Sequence, residues 1–394
     1  MGGELNGLRE QLLRHVRERG GATDALVAEA LRTVPRHIFL PDLRPDAAYR
    51  DEAIVTKRDQ QGQPTSSSSQ PTIMAIMLDQ LGAGRGHRVL EIGAGTGFNA
   101  ALLATIVGSR GRVTSIDLDA DVVDRAEENL SAAGCAGVTV LNADGALGHP
   151  DKAPYDRIIA TVGVWDLAPA WLEQLAPDGR IVVPLDLRGV QRSVAFERAG
   201  DHWTSRSARP CGFMRMRGAL TGPERVYVLE QETGLVLTLP EARELDTDAV
   251  LDALDDQETR VRTGVVPDEF ELLDGLSLWL AVREPRWFAL SESDRGTRLS
   301  DAPLHAPEGR ATTGLLDDFG LATVHVDGGE LVVVGAEQPA ADLAAHITAW
   351  QDAGRPGSAG LRIDAHPPGT PVDGEYVLDK RCVRLVLSWE ERIG

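Results

Sequence analysis

Cysteine is scarce in this chain, which has only Cys135, Cys211 and Cys382 among its 394 residues. Cysteines so far apart form neither a disulfide framework nor a metal cluster, and such usage is typical of a reducing compartment. Long apolar runs are also lacking, because no stretch approaches the roughly 18 residues of a membrane span. The charged N-terminus has no apolar signal core. We therefore expect a cytoplasmic protein with no membrane partner and no bound metal.

Basic residues are scarce in the second half of the chain. The net charge is −20; residues 1–220 carry 27 acidic and 25 basic side chains, whereas residues 221–394 carry 33 and 15. This change indicates a boundary between a first domain, 1–220, and an acidic second domain, 221–394. It argues against nucleic acid as a partner, which needs a basic surface. The acidic half could also serve solubility alone.

Strand and helix patterns alternate over the first 220 residues. The alternation predicts an α/β domain with a mostly parallel sheet. The predicted strands are 87–93, 111–117, 138–144, 155–161 and 179–185, with two more near 192–197 and 203–216. The predicted helices between them are 98–107, 120–133 and 168–175.

A glycine-rich loop follows the first of these strands, in the stretch VLEIGAGTGFNAALL (89–103). Gly93, Gly95 and Gly97 allow a tight turn and let a ligand approach the bare backbone, while the following helix supplies free amides. Asp117 ends the second strand and Asp144 ends the third, so both carboxylates are expected at the same edge of the sheet. Together these features predict a site for an adenosine-bearing ligand.

The polar run SSSSQP (66–71) has the composition of a flexible linker, yet it leads directly into an apolar helix, 72–81. Pro71 suits the first turn of that helix, and Ser69 or Gln70 falls at the cap position. The positive end of the helix would then face whatever lies beside the serines, and a carboxylate suits such a place. The run therefore predicts a wall of the active site.

Many segments of the first domain resemble the protein-L-isoaspartate O-methyltransferases, a family of S-adenosylmethionine-dependent enzymes. The resemblance rests on VPRHIFLP (34–41), AYRDEAI (48–54), SQPTIMAIML (69–78), VLEIGAGTG (89–97), NADGALG (142–148), APYDRIIAT (153–161) and GRIVVPL (179–185). It implies a Rossmann-like class I methyltransferase fold, whose seven-stranded, mostly parallel sheet has rearranged final strands. It also implies S-adenosylmethionine as cofactor and S-adenosylhomocysteine as product.

The resemblance also assigns roles to single residues. It implies a cofactor site made by Ser67, Glu91, Gly93, Gly95, Thr96, Gly97, Asp117, Asp144 and Gly145. In the family, a serine two residues before a proline lies where the methyl donor meets the acceptor carboxylate, and that position is Ser69 here. Ser68 adjoins it, and Gln70 is expected on the substrate side. Arg50 is a candidate clamp for the acceptor carboxylate, although a surface ion pair explains it equally well.

The second domain has the pattern of a folded α+β unit. Strands are predicted within 224–239, a hairpin within 316–335, a helix over 340–351 and closing strands near 361–367 and 381–389. This extended architecture resembles the methyltransferases encoded with ribosomally made, modified peptides (graspetides, lanthipeptides and lasso peptides). The acidic domain would then bind the peptide.

From this resemblance we expect methylation of an aspartate side chain in a modified, macrocyclised precursor peptide, leading to aspartimide or isoaspartate. Repair of isoaspartyl residues in damaged proteins is the alternative within the same enzyme class. A third possibility is a peptide-binding module that has lost methyl transfer. No general base is needed, because a carboxylate with an ordinary pKa of about 4 is ionised at neutral pH.

Overall fold

The computed structural model describes residues 2–60, 62–255, 259–306 and 309–389. Its α-helices are α1 (Gly2–Glu18), α2 (Ala25–Thr33), α3 (Pro45–Ala48), α4 (Pro71–Leu81), α5 (Phe98–Val107), α6 (Ala120–Ala132), α7 (Pro169–Gln174), α8 (Thr247–Asp255), α9 (Glu269–Glu271), α10 (Ser277–Arg283) and α11 (Glu337–Asp352). Within these ranges, no helix is both long and apolar enough to cross a membrane.

The strands fall into a hairpin and two large sheets. In chain order they are β1 (Ile54–Arg58), β2 (Pro64–Ser68), β3 (Arg88–Ile92), β4 (Arg112–Asp117), β5 (Thr139–Asn142), β6 (Tyr155–Ala160), β7 (Leu175–Leu187), β8 (Val190–Ala199), β9 (His202–Pro210), β10 (Arg225–Glu230), β11 (Leu235–Leu239), β12 (Thr259–Arg262), β13 (Trp287–Ser293), β14 (Leu304–Ala306), β15 (Gly309–Asp317), β16 (Gly320–Asp327), β17 (Glu330–Gly335), β18 (Leu361–His366), β19 (Tyr376–Asp379) and β20 (Arg384–Trp389).

The first sheet confirms the predicted α/β fold. Its seven strands from the first 220 residues lie in the order β9-β8-β7-β6-β3-β4-β5. The strands β5, β4, β3, β6 and β7 are parallel, and β8 and β9 return antiparallel in chain order. Central strands such as β3 are apolar on both faces because helices cover the sheet from both sides. The carboxyl ends of β3, β4 and β5 therefore meet at one edge, as the sequence predicted.

The same sheet continues into the C-terminal part of the chain. Strand β18 pairs antiparallel with β9, and β20 and β19 follow, so the sheet has ten strands. Without β18, β9 would be an open edge. The predicted second domain, 221–394, thus contributes strands to two sheets, and its last five residues lie outside the described ranges. Charge could indicate a boundary near residue 220, but it carries no information on this pairing.

The second sheet contains the rest of the C-terminal strands. All its pairs are antiparallel, in the order β10-β11-β13-β15-β16-β17-β12, with β14 paired to β15. Helix α11 covers one face, where Leu343, Ile347 and Trp350 are buried. The predicted hairpin is observed as β16 and β17, with a turn at Gly328 and Gly329.

One apolar core joins the two parts of the chain. Residues of the catalytic sheet such as Phe196 and Trp203 pack in the same cluster as Leu278, Ile363 and Leu385 from the C-terminal part. Burial of apolar surface is the main stabilising term in folding, so the two parts are expected to unfold together.

Replacing Ile363 by alanine tests this shared core. Ile363 is fully buried, and the substitution should lower the free energy of unfolding by about 3 kcal/mol, as large-to-small core substitutions do. Chemical denaturation should still show one transition, followed by both tryptophan fluorescence and circular dichroism. The half-exposed Val377 on β19 gives the matched variant Val377→Ala, which should cost much less. Two separate transitions, with only one shifted by Ile363→Ala, would contradict a common core.

Candidate active site

A cavity of about 1360 Å³ lies at the carboxyl edge of the central strands. It exceeds the roughly 300–1,000 Å³ of most small-molecule pockets, so it has room for two ligands side by side. Its walls are the glycine-rich loop, the β1–β2 hairpin, the start of α4, the segment 210–217 and a few C-terminal residues. Helices and strands from both parts of the chain therefore meet at one site.

The backbone of the glycine-rich loop adopts conformations that are strained for any residue other than glycine. Gly93 has φ 102° and Gly95 has φ 52°. A Cβ atom on Gly93 would lie 2.7 Å from Thr161 Oγ1, and one on Gly95 would lie 3.2 Å from the Ser67 carbonyl oxygen. Both glycines, together with Thr96, line the cavity. The loop is thus a cradle of bare backbone, as predicted.

Asp117 lies where the sequence predicted, at the end of β4 and in the cavity wall. One carboxylate oxygen, Oδ2, accepts a hydrogen bond from the Gly95 amide at 3.1 Å, and Oδ1 accepts one from the Asp119 amide at 3.3 Å. These bonds fix the carboxylate beside the loop. Each oxygen retains a further lone pair for a ligand hydroxyl.

Glu91, which was predicted to line the cofactor site, is not among the residues that line this cavity. It is fully buried beneath the loop, where Asn99 Nδ2 donates to Oε1 at 2.7 Å and Ser115 Oγ donates to Oε2 at 2.5 Å. Burial raises its pKa to about 7, although the hydrogen bonds from Ser115 and Asn99 favour the ionised form. Glu91 therefore connects β3, β4 and α5 and supports the loop from below.

Gly97 and Asp144 also lie outside the cavity lining, although both were predicted cofactor ligands. A Cβ on Gly97 would lie 3.1 Å from Leu130, so this glycine lets α5 pack against α6. Asp144 accepts from the Ala146 amide at 2.9 Å and from the Ala219 amide at 3.1 Å. Its carboxylate thus holds the chain after residue 217 in place. The neighbouring Gly145 does line the cavity, as predicted.

The serine run is a strand, not a flexible linker. Residues 66–68 belong to β2, which pairs irregularly with β1. Ser67, Ser68 and Ser69 all line the cavity. Ser68 is 2% exposed, and its hydroxyl is buried with no hydrogen-bond partner among the described residues. A buried hydroxyl without a partner is costly, so Ser68 Oγ is a candidate contact for a ligand.

The amino end of α4 is already occupied by Asp51. Its Oδ1 accepts from the Thr72 amide at 2.8 Å, and its Oδ2 accepts from Thr72 Oγ1 at 2.8 Å and from Gln70 Nε2 at 3.1 Å. A carboxylate is expected near this helix end, and the observed one belongs to the chain itself. Gln70 lines the cavity, but its amide group is held by Asp51. Asp51 is distant in sequence, so no local pattern could indicate this cap.

Arg50 lies on the surface and outside the cavity lining, so the predicted role as carboxylate clamp is not supported. A buried arginine, Arg36, lies behind the serine run. Its Nη1 donates to the Ser69 carbonyl oxygen at 3.0 Å, its Nη2 donates to that of Glu52 at 3.3 Å, and it lies 5.1 Å from the Phe98 ring centre. Burial lowers its pKa to about 10, so it stays charged at neutral pH. Arg36 fixes the backbone at Ser69.

Two segments above Asp117 are joined by ion pairs. Lys57 of β1 binds Asp119 at 2.8 Å, and Arg217, at the end of segment 210–217, binds the same carboxylate at 3.0 Å. Burial alone would raise the pKa of Asp119, but the hydrogen bonds from Arg217 and Lys57 hold it below its ordinary value. Sequence reasoning missed this contact because the three residues come from distant parts of the chain. Within the described ranges, no group of three or more histidine, cysteine or acidic side chains could hold a metal.

The buried carboxyl group of Glu91 should make the stability of the folded protein depend on pH. Its pKa in the folded protein lies above its ordinary value of 4.5, so the folded state keeps a proton that the unfolded chain releases. The stability that this group contributes is therefore lost as the pH rises from about 4.5 to about 7. Glu91→Gln should show no such loss. In denaturant unfolding, the free energy of unfolding of Glu91→Gln minus that of the wild type should therefore be about 2 kcal/mol larger at pH 8 than at pH 5. The exposed Glu128→Gln on α6 is the control. If the difference in free energy of unfolding between Glu91→Gln and the wild type is the same at pH 5 and at pH 8, the pKa of Glu91 is not raised.

Comparison with known proteins supports the methyltransferase interpretation. A protein-L-isoaspartate O-methyltransferase from Methanopyrus kandleri is 39% identical over 194 residues, which cover 49% of this chain and 83% of that protein. One from Thermotoga maritima is 37% identical over 190 residues, covering 48% of this chain and 59% of that protein. Both matches span about half of the chain.

A solved structure described as a protein-L-isoaspartate O-methyltransferase covers 97% of this chain and 99% of its own, with a TM-score of 0.53 and 20% identity. This likeness shows the fold alone, and it extends over the C-terminal half.

The family model for protein-L-isoaspartate(D-aspartate) O-methyltransferase matches residues 7–218, more than half of the chain. Enzymes of this family are carboxyl O-methyltransferases that use S-adenosylmethionine. The fold, the glycine cradle with Asp117 and the sequence match agree, and the chain belongs to the protein-L-isoaspartate(D-aspartate) O-methyltransferase family.

Proposed function

We propose that the protein methylates a free carboxylate within a peptide, either the α-carboxylate of an isoaspartyl residue or the side-chain carboxylate of an aspartyl residue. The single observation that carries the proposal is the serine run, because Ser67, Ser68 and Ser69 line the same cavity as the glycine cradle and Asp117, and the Ser68 hydroxyl has no hydrogen-bond partner among the described residues. Serine hydroxyl groups can donate a hydrogen bond to a ligand. The acceptor carboxylate is a partner of the right chemistry.

The cavity residues fit S-adenosylmethionine. Side chains at Gly93 and Gly95 would fill the cradle, and Asp117 offers its carboxylate to the two ribose hydroxyls. Gly145 borders the same space, where a Cβ would lie 2.5 Å from Ile92 Cγ2. When bound, the cofactor supplies an activated methyl group on a sulfonium sulfur, and its transfer to a carboxylate oxygen leaves S-adenosylhomocysteine and a methyl ester.

The acceptor side is formed by the serines rather than by the helix. Because Asp51 already binds the Thr72 amide, the start of α4 offers little to a second carboxylate. Ser68 Oγ can donate to the acceptor, and the Ser69 backbone is fixed by Arg36. These residues orient an acceptor that is already ionised, so alignment and exclusion of water are the chain's main contributions.

Two substrates are compatible with this site. Isoaspartyl residues of damaged proteins are supported by family membership. An aspartate in a modified precursor peptide, converted to aspartimide or isoaspartate, is the second candidate. This candidate is favoured by three C-terminal residues in the cavity wall, Leu273, Leu304 and Ala311. They could contact parts of the peptide beyond the reacting residue.

Methyl transfer to three peptides distinguishes these substrates. Mass spectrometry would follow a linear isoaspartyl peptide, its aspartyl twin and a side-chain-cyclised form of the aspartyl peptide. Turnover of the isoaspartyl peptide at least as fast as the others favours repair. A strong preference for the cyclised peptide favours tailoring. If none is methylated by protein that binds S-adenosylhomocysteine, the proposed function is wrong.

Removing the charge of Asp117 should weaken cofactor binding. Hydrogen bonds to a charged group contribute about 1.5–3 kcal/mol each, so Asp117→Asn should raise the dissociation constant for S-adenosylmethionine about tenfold or more in calorimetric titration. The exposed Asp124→Asn on α6 is the matched control and should bind normally. Unchanged affinity of Asp117→Asn would remove this residue from the cofactor site.

Removing a serine hydroxyl should slow methyl transfer without weakening cofactor binding. Ser68→Ala and Ser69→Ala should each lower kcat/KM for the peptide about tenfold, the effect of one hydrogen bond of about 1.4 kcal/mol. The exposed Ser131→Ala on α6 should match the wild type. Loss of cofactor affinity with unchanged turnover of the bound complex would place the serines on the cofactor side.

A further inference from the structure

An apolar surface is exposed in the C-terminal part, just outside the cavity. Val266 and Phe270 are each 60% exposed, and Leu273 is 48% exposed. The last two lie three residues apart in the continuous helical segment from α9 through Leu276. We refer to these three residues as the 266–273 patch. Three exposed large apolar side chains within eight residues make this segment a candidate interaction site.

The 266–273 patch is continuous with the cavity that contains the serines. Leu273 belongs to both, and it lines the cavity together with Leu304, His305 and Ala311. The His305 side chain is 71% exposed, so the cavity opens to solvent beside the patch. The His305 amide donates to Glu269 Oε1 at 2.7 Å, which fixes the strand at the cavity wall to the residue next to Phe270.

The position of the patch relative to the catalytic sheet is fixed by Arg192 on β8. Its Nη2 donates to the carbonyl oxygens of Leu273 and Asp274 at 3.2 and 2.9 Å, and its Nε donates to Ser358 Oγ at 2.6 Å. Arg192 itself lines the cavity and is 1% exposed. A ligand that reaches from the serines to the patch therefore meets a rigid surface rather than a mobile loop.

We propose that the 266–273 patch binds the substrate peptide outside the cavity, through an apolar side chain several residues from the methylated carboxylate. This proposal rests on the proposed function, and it specifies the substrate class further. The reacting residue enters the cavity, and the chain on one side of it can leave past Leu273 and the exposed His305. The patch is the apolar surface that this emerging chain meets.

The charged residues around the patch indicate which peptide sequences it can bind. Asp268, Glu269 and Glu271 flank Phe270, and Arg355 pairs with Glu271 at 2.7 Å. This acidic border disfavours anionic partners such as nucleic acid or an acidic membrane surface. It equally disfavours acidic residues next to the anchoring side chain. The preferred peptide thus has an apolar anchor without acidic neighbours.

Steady-state methylation of a peptide series tests the proposal. Each peptide carries one isoaspartyl or aspartyl acceptor in a serine- and glycine-rich sequence, with a single phenylalanine moved from two to eight residues away on either side. For the wild type, at least one phenylalanine position should lower KM about tenfold relative to the peptide without phenylalanine, as burial of one large apolar side chain allows. Phe270→Ser and Val266→Ser should remove that advantage, while kcat and the affinity for S-adenosylhomocysteine stay within twofold of the wild type.

Phe319→Ser is the matched control, because Phe319 is 79% exposed in the turn between β15 and β16 and outside the cavity lining. It should retain the full preference for the phenylalanine peptide. If the wild type methylates the peptides with no dependence on phenylalanine, or if Phe270→Ser raises KM equally for all peptides, the patch is not the anchor site. If no peptide is methylated by protein that binds S-adenosylhomocysteine, the proposed function fails, and the patch proposal fails with it.

Discussion

The buried guanidinium group of Arg192 fixes the cavity wall formed by the C-terminal half to the catalytic sheet. It lies on β8 of the catalytic sheet, yet its partners, Ser358 and the carbonyl groups of Leu273 and Asp274, come from the C-terminal half. Burial lowers its pKa, and the nearby Asp274 carboxylate, 3.6 Å away, opposes that shift. A charge this deeply buried is tolerated only while its partners are in place, since breaking such a pair costs about 3–5 kcal/mol. The wall of the cavity formed by Leu273 is therefore tied to correct folding of the catalytic sheet.

The two sides of the cavity are built by different means. The proposed cofactor side consists of backbone with positive φ angles at Gly93 and Gly95 and of the carboxylate of Asp117. The proposed acceptor side is held by side chains from separate elements, because Asp51 caps α4 and Arg36 fixes the serine strand. A backbone cradle suits a constant cofactor. Side-chain contacts can vary with the substrate without disturbing cofactor binding.

Sequence reasoning succeeded where the signal is local. The apolar strands, the glycine spacing and the acid at the end of β4 lie within one strand–turn–helix unit or its neighbour, so the edge of the sheet and its cradle could be predicted. It failed where a contact links distant residues. Ser205 Oγ accepts from the Ile363 amide across 158 positions, and no pattern in either segment indicates the other. Glu91 failed for a different reason. A carboxylate at this position of the motif can either face a ligand or be buried against a neighbour such as Ser115, and the sequence does not distinguish the two.

The acidic charge of the C-terminal half acts on a substrate only over short distances. At physiological ionic strength the Debye length is about 8 Å, so most of its acidic residues are screened from a peptide at the cavity mouth. The acids that remain close are already engaged, since Glu269 binds the His305 amide and Glu271 pairs with Arg355. Apolar contact with Phe270 is not screened by salt, and it grows with the area removed from water. Under the proposed anchoring, selection at the cavity mouth depends more on the shape and apolar character of the peptide than on its net charge, and the acceptor carboxylate meets the serine run inside the cavity.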